Sequence, residues 1–232
     1  MSNLGPEASA LIKSVIGQLP EMNARYERMA KAETADGENQ ARRMLEDPIA
    51  SRGYHIASVH IASALDHLNL MASFIEQGEL RPCAPFSVAR TALENTAQAS
   101  WLMDPDLDDN AQRKRAIGAQ YADYEERRKA EDHLGEIPAG QVPAKQRRND
   151  YMTAAATHAD HTVTGDNGDI RPAVQLPSFL DLCEQQAPVV PGGPSGGFLY
   201  RLLSAFSHGK QWSALAALRD EAWVGVMSGP CR

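Results

Sequence analysis

Apolar residues recur at helical intervals along most of the chain. In "GPEASALIKSVIGQL", Leu11, Val15, Ile16 and Leu19 fall on one stripe at three- and four-residue steps. That spacing predicts helix over 6–33, with a break or kink at Pro20, which has no N–H to donate to the preceding turn. "ENQARRMLED" predicts a short helix that stops before Pro48. The next pattern, "PIASRGYHIASVHIASALDHLNLMASFIEQG", opens on a proline suited to a first helical turn and closes on Gly78. At about 100° per residue, its Ile56, Val59, Ile61, Leu65, Leu68, Met71 and Phe74 point to every side. A helix apolar all round belongs inside a fold, so this one is expected to be central and buried.

"PFSVARTALENTAQASWLMD" is the next helix, bounded by Pro85 and Pro105. "DLDDNAQRKRAIGAQYADYEERRKAEDHLG" follows, acidic at its start and basic later, the order the helix dipole favours, and Gly135 ends it. After the connector "IPAGQVP" comes "AKQRRNDYMTAAATHADH". Residues 162–177, rich in Gly, Asp, Thr and Pro, predict a loop; "SFLDLCEQQ" predicts a short helix and "APVVPGGPSGG" a turn or linker. The last helix is expected over 198–220. No internal repeat, sustained heptad or strand alternation is visible. The expectation is all-α: a single-domain antiparallel helical bundle with additional short helices, occupying residues 1–232. Its parts are N-terminal helices in 6–47, central helices in 48–161, a loop and short helix in 162–197, and the C-terminal helix in 198–220.

Composition agrees with that class. Hydrophobic residues make up 43% of the 232 and charged residues 23%, the balance of a globular rather than a disordered chain. Net charge is −7, against a general nucleic-acid binder, although "RKR" at 113–115 and "KQRR" at 145–148 are local basic runs, read as solvated helix faces. Three widely spaced cysteines, Cys83, Cys183 and Cys231, form no CxxC or zinc pattern and fit a reducing compartment. The N-terminus has no positive start before an apolar core, so no secretory signal is read there. No apolar run reaches the ~18 residues of a membrane span. The expectation is a cytoplasmic protein with no membrane association.

Candidate chemistry begins in "FLYRLLSAFSHGKQW". Seven residues turn a helix by about 700°, so Arg201 and His208 lie nearly in line, with Ser204 near the same line. Leu199, Leu202, Leu203 and Phe206 take the opposite side. The Arg–Ser–His row lines a cleft or dimer seam, or it faces water; spacing leaves both open.

"LLSAFSHG", preceded by tyrosine and arginine, together with "RTALENTAQASWLMDP", resembles bacterial helical-bundle proteins of actinobacterial type. In these an Arg-x-x-x-Glu helix precedes a C-terminal helix ending in Ser-x-x-x-His-Gly. The matching positions are Arg90 and Glu94, and Ser204, His208 and Gly209. The pattern also resembles the HEPN superfamily, whose active members carry arginine, four to six residues, then histidine, late in a four-helix bundle. The resemblance covers scattered patches between 55 and 215. It implies a metal-independent endoribonuclease in which His208 moves a proton at the ribose 2′-OH or leaving oxygen and Arg201 stabilises phosphate charge. Leu202 departs from the polar residue often found after that arginine, and many members of the superfamily are not nucleases.

A second constellation lies earlier. His60 and His67 are seven apart on one face of their helix, with His55 and Asp66 on another; Arg90 and Glu94, four apart on the next helix, are the expected partners. Together His60, His67, Arg90 and Glu94 form either a polar network that fixes helix register or a ligand pocket inside the bundle. A di-iron site needs Glu-x-x-His on two helices, and every histidine here lacks a glutamate three residues before it. "HADH" at 158–161 reads as a helix end running into a loop, and "PGGPSGGF" as a turn with Ser195 near a helix start. No metal or cofactor is expected. Three functions stay open: a bundle acting through a homodimer or protein partner, an RNA-cleaving enzyme, and a small-molecule binder.

Overall fold

The computed structural model describes residues 6–35, 47–77, 84–134, 141–158, 160–185 and 195–208. Within them lie seven helices: α1 Pro6–Ala35, α2 Pro48–Glu76, α3 Ala84–Leu102, α4 Asp109–Leu134, α5 Ala144–Ala155, α6 Phe179–Gln185 and α7 Gly196–Ser207. A two-stranded antiparallel sheet, β1 Thr162–Thr164 and β2 Ile170–Pro172, is the other regular structure. The all-α expectation holds. No helix among the described residues is long and apolar enough to cross a membrane.

Helix starts are set by local side chains. Asp47 accepts from the Ala50 N–H at the head of α2, Asp108 from Ala111 at α4, Ser178 from Asp181 at α6 and Ser195 from Phe198 at α7. Each satisfies an otherwise orphaned donor of the first turn, and the two aspartates also place negative charge against the helix dipole. At α5 no cap-residue side chain bonds the backbone, and Glu131 of α4 accepts from the Ala144 N–H instead, at 2.7 Å.

Three expectations change. Helix α1 runs through Pro20 without a break. A proline removes one bond from the ladder, and thirty residues of helix carry that loss here. Helix α2 is not buried all round: Val59 is 54% exposed and Leu70 46%, and Tyr54, His55 and Asp66 are exposed as well. Its buried residues are Gly53, Ala57, Ala64, Leu65 and Ala72, all but Leu65 small enough to let neighbours approach. The stretch 162–177 is not only loop. Thr164 pairs with Ile170 across Gly165–Asp169, and the turn is closed by Gly165 donating to the Asp169 carbonyl at 2.8 Å. The helix expected in "ENQARRMLED", and the part of the last helix beyond 208, lie outside the described residues.

The chain divides into two compact units: one of Met1–Ala32, His60–Gln98 and Ser178–Arg232, the other of Glu33–Val59 and Ala99–Pro177. Helices α2 and α3 each contribute residues to both, so no single cut in the sequence separates them. In the first unit Asn23 of α1 and Asn69 of α2 exchange amide hydrogen bonds at 3.0 and 3.1 Å. Phe86 of α3 stacks on Phe206 of α7 with ring centroids 3.9 Å apart.

The second unit is built around Ile117, Met152 and Ala155, with Ile49, Tyr121, Tyr151 and Ile170 packed against them. Here Gly118 of α4 is required by a close approach. A Cβ at that position would stand 2.2 Å from the Val174 carbonyl oxygen, well inside van der Waals contact. The missing side chain lets the segment after β2 lie directly on α4.

Candidate functional site

The structure draws Arg90 and Glu94, from one expected constellation, together with His208 from the other. All belong to the first unit. Arg90, on α3, is the hub. Its Nε donates to Glu94 Oε1 at 2.8 Å, one turn along the same helix. Its Nη1 lies 2.9 Å from His208 Nε2, and its Nη2 donates to the Tyr200 hydroxyl at 3.4 Å. The guanidinium carbon also sits 5.4 Å from the centre of the Tyr200 ring. The Arg90 side chain is 21% exposed and that of Glu94 16%. Burial disfavours the Arg90 charge, yet Glu94 and Tyr200 more than offset it, and the pKa of Arg90 ends above its ordinary value. Arg90 is a cation across the whole working range of pH.

That fixes the imidazole. A guanidinium has only donors, so His208 Nε2 must present its lone pair, and the ring proton sits on Nδ1. The contact exists with the neutral ring. His208 is the C-cap of α7, its own N–H bonded to the Ser204 carbonyl at 3.0 Å, and it is exposed.

The expected pair of Arg201 and His208 is therefore not joined. Arg201 is exposed and makes no hydrogen bond or ion pair to another described residue, while the arginine that reaches His208 comes from 118 positions earlier. Ser204 is half-buried. Phe198, one turn before Arg201, is 45% exposed. Gly209 lies outside the described residues.

His60 and His67 do not join Arg90 and Glu94. His60 Nδ1 donates to Asn95 Oδ1 at 2.7 Å, and Asn95 in turn donates to the Thr91 carbonyl. His67 Nδ1 donates to the Ser63 carbonyl one turn back on its own helix, at 2.7 Å. His60 thus reaches α3 at Asn95 and not at Arg90 or Glu94, His67 stays on its own helix, and exposed His55 and Asp66 need no buried partner. Asn95, the partner of His60, and Tyr200, a partner of Arg90, are contacts that the spacing did not assign. Asn95 lies one residue beyond Glu94, and Tyr200 one before Arg201, which were their only signals.

The remaining motifs resolve into packing. In "PGGPSGGF", Gly196 and Gly197 are buried, and a Cβ on Gly196 would stand 2.0 Å from the Cys183 carbonyl oxygen. Gly196 and Gly197 therefore let the start of α7 sit on α6. The Cys183 thiol is pushed up to about 11 by burial and by the nearby Glu94 charge, which makes it a poor nucleophile. Among the described residues no three of His, Cys, Asp and Glu gather as metal ligands. The basic run 113–115 is not a free patch: Arg113 pairs with Asp47 at 2.6 Å, Lys114 with Asp160 at 3.1 Å and Arg115 with Asp104 at 3.2 Å. In 145–148, Arg148 pairs with Glu125 and lies over Tyr121. In comparisons with protein-family models, curated proteins and solved structures, none matches the chain.

Proposed function

We propose that the protein acts by association rather than by chemistry, as a helical-bundle protein that pairs with a second copy of itself through the outer side of α7. The observation that supports this reading is how the polar residues of α7 are used. Arg90 commits its Nε, Nη1 and Nη2 to Glu94, His208 and Tyr200, and so clamps α7 to α3. On the clamped helix, Phe198 and Arg201 remain exposed, one apolar and one cationic, a pairing of residue types enriched at interfaces. A chain of net charge −7 offers acidic surface to such a cation. Light scattering after size exclusion, run across a concentration series, tests this. A dimer is expected, and Phe198→Ser with Arg201→Glu should shift it to monomer. A wild-type monomer throughout the series would sink the reading.

A second reading has its own observation. The Arg90–His208 contact puts an imidazole lone pair beside a guanidinium, the residue types that the HEPN resemblance implies for RNA cleavage. To act as base at a ribose 2′-OH, Nε2 would exchange Arg90 for the hydroxyl, which leaves Arg90 and Arg201 to face phosphate. Cleavage of RNA without added metal, lost in both His208→Ala and Arg201→Ala, would support this. RNA left intact by wild type would refute it.

A further inference from the structure

The second unit contains a histidine with one ring nitrogen satisfied and the other sealed. The His161 side chain is 4% exposed. Its Nε2 donates to Asn110 Oδ1 of α4 at 2.7 Å; the amide of Asn110 in turn donates to Asp160 Oδ2, also at 2.7 Å. Its Nδ1 is buried and has no hydrogen-bond partner. Its carbonyl accepts the Ala173 N–H at 2.9 Å, the bond that closes the hairpin beyond the last strand pair. His161 thus joins the β1–β2 hairpin to α4 at both its ring and its backbone.

We propose that His161 is a proton-sensitive latch: adding a proton to the sealed Nδ1 expels the ring from its seat on α4 and opens the end of the hairpin that the His161 carbonyl closes. The neutral ring matches its surroundings, one donor to one acceptor. The protonated ring has two donors, and the second finds no acceptor. The charges around it act in both directions. Asp160, 3.9 Å from Nε2, favours the cation; His158, whose ring centre is 5.0 Å away, and Lys114 and Arg113 of α4 oppose it. Asp160 is exposed and already engaged by Asn110 and Lys114, which hold its carboxyl at about 2, so its charge is constant through the range that matters. Burial is the largest influence and moves His161 below its ordinary value. The hairpin contributes the Ala173 N–H, which is bonded to the carbonyl and not to the ring.

The sign follows. A histidine whose folded pKa is depressed contributes stability that is fully present above its unfolded value of ~6.5 and is lost as pH falls below it. If opening frees an ordinary imidazole, the opening constant rises as pH falls through ~6.5, and about tenfold is the ceiling between pH ~7.5 and ~5.5, reached when the closed ring takes up no proton in that interval. Hydrogen exchange at the Ala173 amide, expressed as protection relative to the unstructured rate at the same pH, reads this directly. Wild type should lose between about twofold and tenfold in protection over that interval. His161→Gln keeps a donor for Asn110 without titrating, so its protection should be flat. A wild-type loss under twofold, or an equal loss in the variant, overturns the latch. Nitrogen chemical shifts of the His161 ring give an answer on wild type alone. The ring should be the Nε2–H tautomer near neutral pH, and its protonation should coincide with loss of Ala173 protection. A ring that protonates while the hairpin stays protected overturns the latch equally.

Discussion

Replacing Gly118 with alanine should destabilise the protein, although the same change elsewhere on a helix stabilises it. In a helix interior alanine is favoured over glycine by roughly 0.5–1 kcal/mol, chiefly because glycine has more backbone freedom to lose. Gly17 of α1 shows that rule alone: it is exposed, and nothing lies within 4 Å of where its Cβ would stand. At Gly118 the Cβ would be 2.2 Å from the Val174 carbonyl oxygen, with the Val174 carbonyl carbon at 3.2 Å and the Leu176 nitrogen at 3.4 Å. Reaching ordinary contact at 3.4 Å needs a shift of 3.4 − 2.2 = 1.2 Å. The obstruction is backbone, which cannot rotate away as a side-chain tip would. Overpacking of this kind costs about 1–3 kcal/mol. After the helix-propensity gain, Gly118→Ala should be less stable than wild type by up to about 2.5 kcal/mol and Gly17→Ala more stable by up to about 1 kcal/mol. Urea titrations followed by far-ultraviolet circular dichroism would separate the two, with shifts of midpoint in opposite directions. On heating, the Gly118 variant should melt several degrees lower, at roughly 2–4 °C per kcal/mol for a chain of this size. A Gly118→Ala protein stabilised over wild type, as Gly17→Ala should be, would refute the close approach and the placement of the 174–176 segment on α4.

Other expectations follow from single contacts. Arg90→Ala strips Glu94, Tyr200 and His208 of their shared partner and leaves a half-buried carboxylate without its counter-charge. It should lower stability by about 1–3 kcal/mol and raise exchange of the α7 amides, with Arg90→Lys rescuing little because an ammonium lacks the fork. Asp47 is buried enough to raise its pKa, but the Ala50 and Ile49 N–H groups and Arg113 outweigh that and bring it below the ordinary value. Its contribution is therefore present above pH ~4 and lost as pH falls, so Asp47→Asn should be less stable than wild type near neutral pH and converge with it in acid melts. Cys183, buried with a pKa of about 11, should resist iodoacetamide in the folded protein at mildly alkaline pH and react after unfolding, as peptide mapping would show.

Much of this architecture is written locally in the chain. Asp108 in the acidic opening of "DLDDNAQRKR" marks the start of α4, and Ser178 and Ser195 mark those of α6 and α7, because an N-cap needs only its own first turn. What fails to read locally depends on neighbours. Pro20 predicts a break or kink by its own chemistry, and of the two the break is absent. Val59 and Leu70 look like core residues by type, yet each is about half exposed, since no pattern on one helix says where its neighbours stop. The hairpin had a usable signal: "GDNGD" between Thr-Val-Thr and Ile-Arg-Pro is a glycine-bearing loop between strand-like runs, obscured by the shortness of the strands. At the candidate site, the sequence singled out Arg90, Glu94, Arg201 and His208 as residues but not their pairing. Arg90 and His208 are 118 positions apart, and only the seating of α7 on α3 decides that Arg90, rather than in-line Arg201, reaches the imidazole.

The three basic residues at 113–115 have a mechanical consequence. Consecutive side chains on a helix leave its axis about 100° apart, so three in a row sweep about 200° of its circumference. Here each is tethered to a different part of the second unit: Arg113 to Asp47 ahead of α2, Lys114 to Asp160 ahead of the hairpin, and Arg115 to Asp104 behind α3. Any one of these pairs adds little to stability by itself. Together they act as guy lines on a mast: α4 cannot roll in either direction without stretching at least one tether. A stretch of sequence that reads as a solvated helix face instead holds the rotation of α4, and with it the placement of Ile117 in the core and of Gly118 under the Val174 segment.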